Sequence, residues 1–490
     1  MVRTRLLMAA TAGVALTFAS VGPAAATTAT RCPGLTAPRL SISFSNTGPM
    51  DARDVYITFT ANSSGGIQPC RVLNHSVRLS DLPRYRTGPH WRHIEIGSGV
   101  GSGLIWISYR HPLTGLPATQ PSFDTSTTRF ANVELSFPGQ ADMTNVDQFS
   151  IPVDLVTYAT RHGRDHLEKR ESRWYKGTSC DIVGKLKSGV QSFNSTYSGI
   201  LAPSDLATWS QIVVRDPNNN NAFVRAVSPK QRAHQPPTVN GQPNPYASGW
   251  PSMAPYVAAM ANQPITIEGL FSPGNGSAYT AEAGWYQYTG TFAADGSISL
   301  TGSYGATSSP GGAGNQAGST IAVASSLTHA SGTIDGLVTG IYDQASEYSV
   351  GGVARNTGSA SADAPNDVYN SVYRDLTSAF TYGYPGGRYG SNSNGWWNSW
   401  APPAAPSGGQ PAFATARTNP NPTTGGDQFL AANLWSQTLF GISQNYSIPY
   451  GENYGSGAPN RPSPLLNLPK GTEFHLTIGK DGPAGCLDSL

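Results

Sequence analysis

Charge is scarce in this chain: Asp, Glu, Lys and Arg make up only 12% of its 490 residues, and the formal net charge is +2. A polyanionic partner such as nucleic acid calls for a concentrated basic face, so nucleic acid is not expected and a neutral polymer suits the chain better. After the first 26 residues no segment offers ~20 consecutive apolar residues, so no membrane-spanning helix is expected. The patterns H-E-x-x-H and G-x-S-x-G are both missing, which removes the commonest protease and esterase signals. Gly184-Lys185 closes a stretch with the wrong spacing for a phosphate loop and no Ser or Thr after the lysine. Cysteine is limited to Cys32, Cys70, Cys180 and Cys486, with no C-x-x-C and no clustered histidines, so no metal site is expected. His162 and His166 stand four apart among charged residues and read as solvated surface, and the pair His90 and His93 lacks a third ligand.

Turn formers are abundant, with 55 Gly and 38 Pro, and the Ala/Glu/Lys/Leu bias of a helical bundle is lacking. At the N-terminus Arg3 and Arg5 precede an apolar run from Leu6 to Val21 and then Ala24-Ala25-Ala26, the layout of a secretory signal peptide over residues 1–26. A secreted, extracellular protein is expected. In an oxidising compartment four cysteines suggest two disulfides in one of three pairings. A clasp between the terminal pair Cys32 and Cys486, with Cys70 joined to Cys180, is the expected one.

Alternating apolar and polar residues predict strands over 40–44, 55–59, 94–96, 104–109, 132–137 and 153–157, punctuated by Gly, Pro and Asn. Such a series implies an antiparallel sandwich or barrel. The texture changes at 161–176, which is dense in charge, and 184–198 carries apolar residues at helical spacing, so an α-containing region is expected to begin there. Further strands are predicted over 212–214, 265–271 and 285–292, an exposed loop over 229–250, and a mobile Gly/Ser-rich stretch over 303–319. A helix is predicted over 366–382, capped by Asn366 and ended by Gly383, with an apolar stripe of Val368, Tyr369, Val372, Leu376, Ala379 and Phe380. A final strand over 473–478 suggests a β-domain, 38–160 and 426–482, into which a mixed α/β domain, 161–425, is inserted.

The segment from Phe130 to Pro152 carries the most chemistry. Val133, Leu135 and Phe137 alternate with Asn132, Glu134 and Ser136, which sends the apolar three into a core and leaves Glu134 outside. Pro138-Gly139 breaks that strand, and Val146, Asp147 and Phe149 lie on a second short extended run. Antiparallel pairing of the two runs would set Glu134 opposite Asp147. Two carboxylates on one open face can split a glycosidic bond. A solvated acid at Glu134 and a local side-chain to backbone bond at Asp147 are the alternative explanation. Trp396, Trp397 and Trp400, in a Gly/Asn/Ser loop, could stack on sugar rings or pack at a domain boundary.

The ordered motifs resemble glycoside hydrolase family 64, β-1,3-glucanases that include the laminaripentaose-producing type. Leu104-Ile105-Trp106-Ile107-Ser108 is similar to that family's G-R-I-W-I-S strand and Gln120-Pro121-Ser122 to its Q-P-S. Val133-Glu134-Leu135-Ser136-Phe137 resembles the strand bearing its catalytic glutamate. The run from Thr144 to Pro152 resembles its T-x-V-D-x-x-G-[LI]-P, whose aspartate is the second acid. Arg225 to Pro229, the 366–380 helix and Tyr446 to Tyr450 follow in the family's order. The chain departs at Ser150, at Asp142 where the family has asparagine, at Gly451-Glu452 within the family's Y-D-D, and in a shorter loop between the acids.

The resemblance implies a mainly β fold with α/β: a thaumatin-like antiparallel β-sandwich or barrel, an inserted mixed α/β domain, and a wide groove between them. It also implies a secreted endo-β-1,3-glucanase acting by inversion without metal or cofactor. Glu134 is then the general acid and Asp147 the general base, with Ser136 and Thr144 as substrate-binding residues. The implied partner is a β-1,3-glucan such as laminarin, curdlan or fungal wall glucan, acted on by a monomer that releases short laminari-oligosaccharides. The competing implication is a non-catalytic β-glucan-binding or antifungal thaumatin-like module.

Overall fold

A computed structural model describes residues 34–63, 66–85, 90–113, 127–159, 167–199, 201–230, 238–239, 242–243, 249–259, 261–262, 264–271, 284–305, 319–323, 342, 349–350, 353–354, 368, 372–373, 376–377, 419–420, 428–429, 433–444 and 465–490. The signal segment, Trp396, Trp397, Trp400, His162, His166, Gln120 to Ser122 and Tyr446 to Glu452 lie outside the described residues.

The fold is mainly β with some helix. Its first part comprises β1 (Arg39–Asn46), β2 (Val55–Ser63), β3 (Ile67–Gln68), β4 (Val77–Arg78), β5 (Arg92–Gly97), β6 (Val100–Tyr109), β7 (Phe130–Phe137), β8 (Gly139–Met143), β9 (Gln148–Phe149), β10 (Val153–Ala159) and β11 (Glu168–Arg173). Later come β12 (Val213–Asp216), β13 (Ala222–Val227), β14 (Thr238–Val239), β15 (Gln242–Pro243), β16 (Pro264–Phe271), β17 (Gly284–Phe292), β18 (Ile298–Gly305) and β19 (Ser319–Val323). Two-residue strands β20 (Ser349–Val350), β21 (Val353–Ala354), β22 (Asn419–Pro420) and β23 (Gln428–Phe429) precede β24 (Leu466–Leu468) and β25 (Thr472–Ile478).

Two six-stranded sheets share one core. One runs β11-β10-β25-β1-β5-β3 and the other β24-β8-β7-β6-β2-β4. Their alternation is what two sheets packed face to face require. In β1, Leu40, Ile42 and Phe44 are fully buried between serines, and Val55, Ile57, Ile105, Ile107, Val133 and Leu135 meet them from the other sheet. The sequence-distant β25 lies between β1 and β10, parallel to β1 with Ser43 opposite His475, and β24 pairs β8, so the last strands complete both sheets. Every strand predicted from alternation is found, with bounds shifted by a few residues.

The charged stretch at 161–176 is a correction. Residues Glu168–Arg173 form β11, the edge strand beside β10, and not the start of a helical region. Charge on an edge strand deters pairing with other chains, which explains a composition that reads as non-strand. The helix that follows, α1 (Ser179–Tyr197), begins five residues before the expected 184. Thr178 caps it: its hydroxyl accepts from the Asp181 N–H while the Asp181 carboxylate accepts from the Thr178 N–H, a capping box.

The expected disulfides are also corrected. Cys180 is bonded to Cys486, tying α1 to the C-terminal helix Cys486–Ser489, which rules out both expected pairs. Cys70 is disulfide-bonded too. Spacing carries no information on which helix faces meet, so the pairing was not readable. Arg129 reinforces the same region, bonding both oxygens of Asp481 at 2.5 and 2.8 Å and lying between the Tyr109 and Phe223 rings.

Strands β16 to β19 form a separate four-stranded antiparallel meander around buried Ile267, Tyr286, Tyr288 and Leu300. It takes in both ends of the 303–319 stretch expected to be mobile, since Ser303 to Gly305 and Ser319 lie in strands; the rest is outside the described residues. The 229–250 loop is corrected in part: Pro229 and Lys230 are helical, β14 pairs β15, and Trp250 is buried with its indole N–H donating to the Val227 carbonyl at 2.9 Å. Of the 366–382 helix, Val368, Val372, Tyr373, Leu376 and Thr377 are described, and all five are helical and buried. The burial of Tyr373 and Thr377 widens the apolar stripe beyond the expected residues.

Candidate active site

Glu134 is placed by the pleat of β7. Its neighbours Val133 and Leu135 are at most 1% exposed in the sandwich core, so the carboxylate must point the other way. The chain turns at Phe137-Pro138 and β8 begins at once, setting Glu134 opposite Asp142 and Leu135 opposite Ala141. On the far side of β8, Gln140 faces Asn467 of β24. Ser136, Glu134, Gln140, Asp142 and Asn467 thus share one outer face, and they line a cavity of 510 Å³. Asn467 is oriented by the hydrogen bond that its side-chain amide donates to Glu171 Oε1 at 3.0 Å.

The other flank of Glu134 is apolar. Its partner on β6 is Leu104, which packs on a small cluster of Trp106, Leu113 and Phe130 apart from the main core. Trp106 keeps its indole N–H satisfied by Thr60 Oγ1 at 3.0 Å. Gly103, opposite Leu135, allows the strands to approach: a Cβ there would lie 2.9 Å from Val100 Cγ1 and 3.2 Å from the Leu135 carbonyl. The adjacent Ser102 N–H donates to Ser136 Oγ at 3.3 Å.

Asp147 does not face Glu134 across the sheet, which corrects the expected register. The tight turn spends the strand-forming residues on Gly139–Met143, and the chain then leaves the sheet. Thr144 is half-buried, its hydroxyl accepting from the Val146 N–H at 3.4 Å. Asn145 donates to the Tyr175 hydroxyl and its carbonyl accepts the Trp435 indole N–H at 3.0 Å. Next, β9 joins a different sheet, β12-β13-β9, with Val227 opposite Gln148. The Ser228 N–H donates to the Asp147 carbonyl at 3.0 Å, and the Gln148 amide donates back to the Phe130 carbonyl of β7 at 3.0 Å. Asp147 is therefore held by the end of β13, and its neighbour Gln148 ties this second sheet to β7 at Phe130.

Glu134 is exposed as a residue at the edge of this cavity, and partial desolvation of its carboxyl raises its pKa above the ordinary glutamate value. The negative charge of Asp147 raises it further, and the positive charge of Lys230 opposes both. Lys230 Nζ lies 3.6 Å from Asp147 Oδ1. The two acids are thus near enough for their charges to interact, yet differ in setting: one is pushed toward its protonated form and the other is ion-paired. Among the described residues no group of three or more His, Cys, Asp or Glu is arranged to hold a metal ion.

No family model matches this chain, and no curated protein does. Two solved structures are similar to it in part: a GH family 64 laminaripentaose-producing β-1,3-glucanase from Paenibacillus barengoltzii, and such an enzyme from the same organism complexed with laminarihexaose. Identity is 14% and 16%, the TM-score is 0.24 in both cases, and the matches cover 43% and 41% of this chain. The chain spans about half of those structures, 52% and 50% of their length.

Glu134, Ser136, Thr144 and Asp147 were all named by the sequence. Gln140, Asn467 and Lys230 carry no such signal, and Asp142 stands out in the sequence only as a departure from a motif. The turn at Pro138-Gly139 held the signal for Asp142, since pairing that starts immediately after the turn sets residue 134 against 142.

Proposed function

We propose that this protein is a secreted endo-β-1,3-glucanase that hydrolyses its glucan with inversion, using Glu134 as general acid and Asp147 as general base. The observation that carries this reading is the unequal electrostatic setting of two neighbouring carboxyls. Glu134 is pushed toward protonation by its surroundings and by Asp147, while Asp147 has a cation 3.6 Å away. A partly desolvated carboxyl with a second, ion-paired carboxylate close by suits the acid and base roles.

In the proposed reaction the Glu134 proton passes to the glycosidic oxygen as the C1–O bond breaks. Asp147 takes a proton from a water that attacks C1 from the opposite side, and the two residues then exchange protons with solvent to reset. Inversion needs carboxyls about 6.5–9.5 Å apart, whereas directly opposed strand neighbours have Cβ atoms only ~4.5–5.5 Å apart. The placement of Asp147 off the sheet favours the wider spacing. Ser136, on the cavity wall, and Thr144 are proposed to bind sugar hydroxyls.

The preference for β-1,3-glucan is drawn from the sequence motifs. So is the architecture proposed with it: a thaumatin-like barrel of 38–160 and 426–482, with 161–425 inserted and the groove between them. The protein is proposed to act as a monomer without metal or organic cofactor. The test is release of soluble sugars from laminarin and curdlan by the purified chain and by Glu134→Gln. Loss of release in the variant is expected. Near-normal release by the variant, or binding of curdlan without release by the native chain, would overturn the proposal.

A further inference from the structure

We infer that Lys230 is a positioning residue for Asp147, holding the base carboxylate in place with its ammonium. This rests on the reading of Glu134 and Asp147 as acid and base. Among the described residues, the charged groups that meet here are Glu134 from β7, Asp142 from β8, Asp147 before β9 and Lys230 after β13. Asp147 is paired with the lysine, and Glu134 feels the charge of both. The charge of Asp147 disfavours ionised Glu134, and the charge of Lys230 offsets that repulsion.

The backbone brings Lys230 to this position by a short route. Pairing of β13 with β9 continues one step beyond the strands, through the Ser228 N–H to the Asp147 carbonyl at 3.0 Å. Lys230 is two residues further on, and its ammonium reaches the side chain of the same aspartate at 3.6 Å. One segment thus holds Asp147 by both its main chain and its carboxylate. The lysine side chain is 31% exposed and that of Asp147 15%, so the pair lies at the cleft surface and is not a buried core ion pair. Replacing a partly exposed lysine there is compatible with folding. The cation also acts on Glu134, drawing down the pKa that burial and Asp147 raise.

The test uses the full chain with Lys230→Met and Lys230→Arg, measuring kcat and KM on laminarin across pH together with the melting temperature. Lys230→Met is expected to lose about tenfold or more in kcat with little change in KM, the pattern of a group that acts at the transition state. Its alkaline limb should move to higher pH, because Glu134 without the cation keeps its proton longer. Lys230→Arg should restore most of the rate and the position of that limb.

A native pH profile and kcat in Lys230→Met would overturn the inference. So would a rise in KM alone, which would mark a sugar contact, or a lower melting temperature with both limbs unmoved, which would mark a structural role. If the native chain releases no sugar, or Glu134→Gln releases it normally, the acid–base reading fails first and this inference falls with it. If only Lys230→Met behaves as native, the acid–base reading stands and this inference alone is wrong.

Discussion

Replacing Glu134 by Gln removes one proton and little else. The two side chains match in size, and the position is exposed on the outer face of β7, where surface substitutions stay within about ±0.5 kcal/mol of native stability. The melting temperature should therefore hold or rise slightly, because the substitution also removes a carboxyl whose ionised form is disfavoured by desolvation and by Asp147. Turnover on laminarin should fall by about 10²–10⁴-fold, the usual contribution of a positioned general acid. That corresponds to roughly 2.7–5.4 kcal/mol of transition-state stabilisation at 1.36 kcal/mol per decade. The structure adds a sharper expectation. A general acid matters in proportion to how badly the leaving oxygen needs a proton, so an aryl β-laminaribioside with a dinitrophenolate leaving group should lose far less than laminarin. Initial rates on both substrates, read as reducing ends and as released phenolate, give the ratio. An equal loss on the two substrates would refute proton donation by Glu134 and point to a binding or shaping role. Full retention of rate on laminarin would refute any role.

Two further outcomes test the frame that holds the site. Cys486→Ser breaks the link between α1 and the C-terminal helix, which closes a sequence separation of 306, and should lower stability by about 2–5 kcal/mol in thermal or denaturant unfolding; an unchanged midpoint would mean the helices are held by packing alone. Thr178→Ala should cost about 1 kcal/mol, with the loss shrinking at acid pH. Hydrogen bonds from Thr178 depress the Asp181 pKa, so this contribution is present above the ordinary aspartate range and fades as pH falls through the depressed folded-state value. A pH-independent loss would show that Asp181 takes no part in the cap.

The strands were legible where one face is buried and the other is not. Leu40, Ile42 and Phe44 between serines, or Val133, Leu135 and Phe137 around Glu134, declare both the strand and its inward face. What alternation does not declare is the partner. Antiparallel pairing of the two runs sets Glu134 against Asp147, but the turn at Pro138-Gly139 is tight and gives that place to Asp142. Asp147 takes its position from β13, some eighty residues away, and no local pattern announces such a pairing. The charge-rich β11 was misread because an edge strand is free to carry residues a central strand excludes. Lys230 went unnoticed for a related reason: a lysine after a Ser-Pro step has no local signature, and its meaning lies in the carboxylate that the sheet brings to it.

The central claim is inverting hydrolysis by Glu134 and Asp147, and the anomer released first tests it most directly. Proton NMR of laminarin during the first minutes with the purified chain should show the α-anomeric signal appearing before the β signal grows by mutarotation. A β signal from the outset would contradict inversion by this pair, and no new anomeric signal at all would contradict hydrolysis.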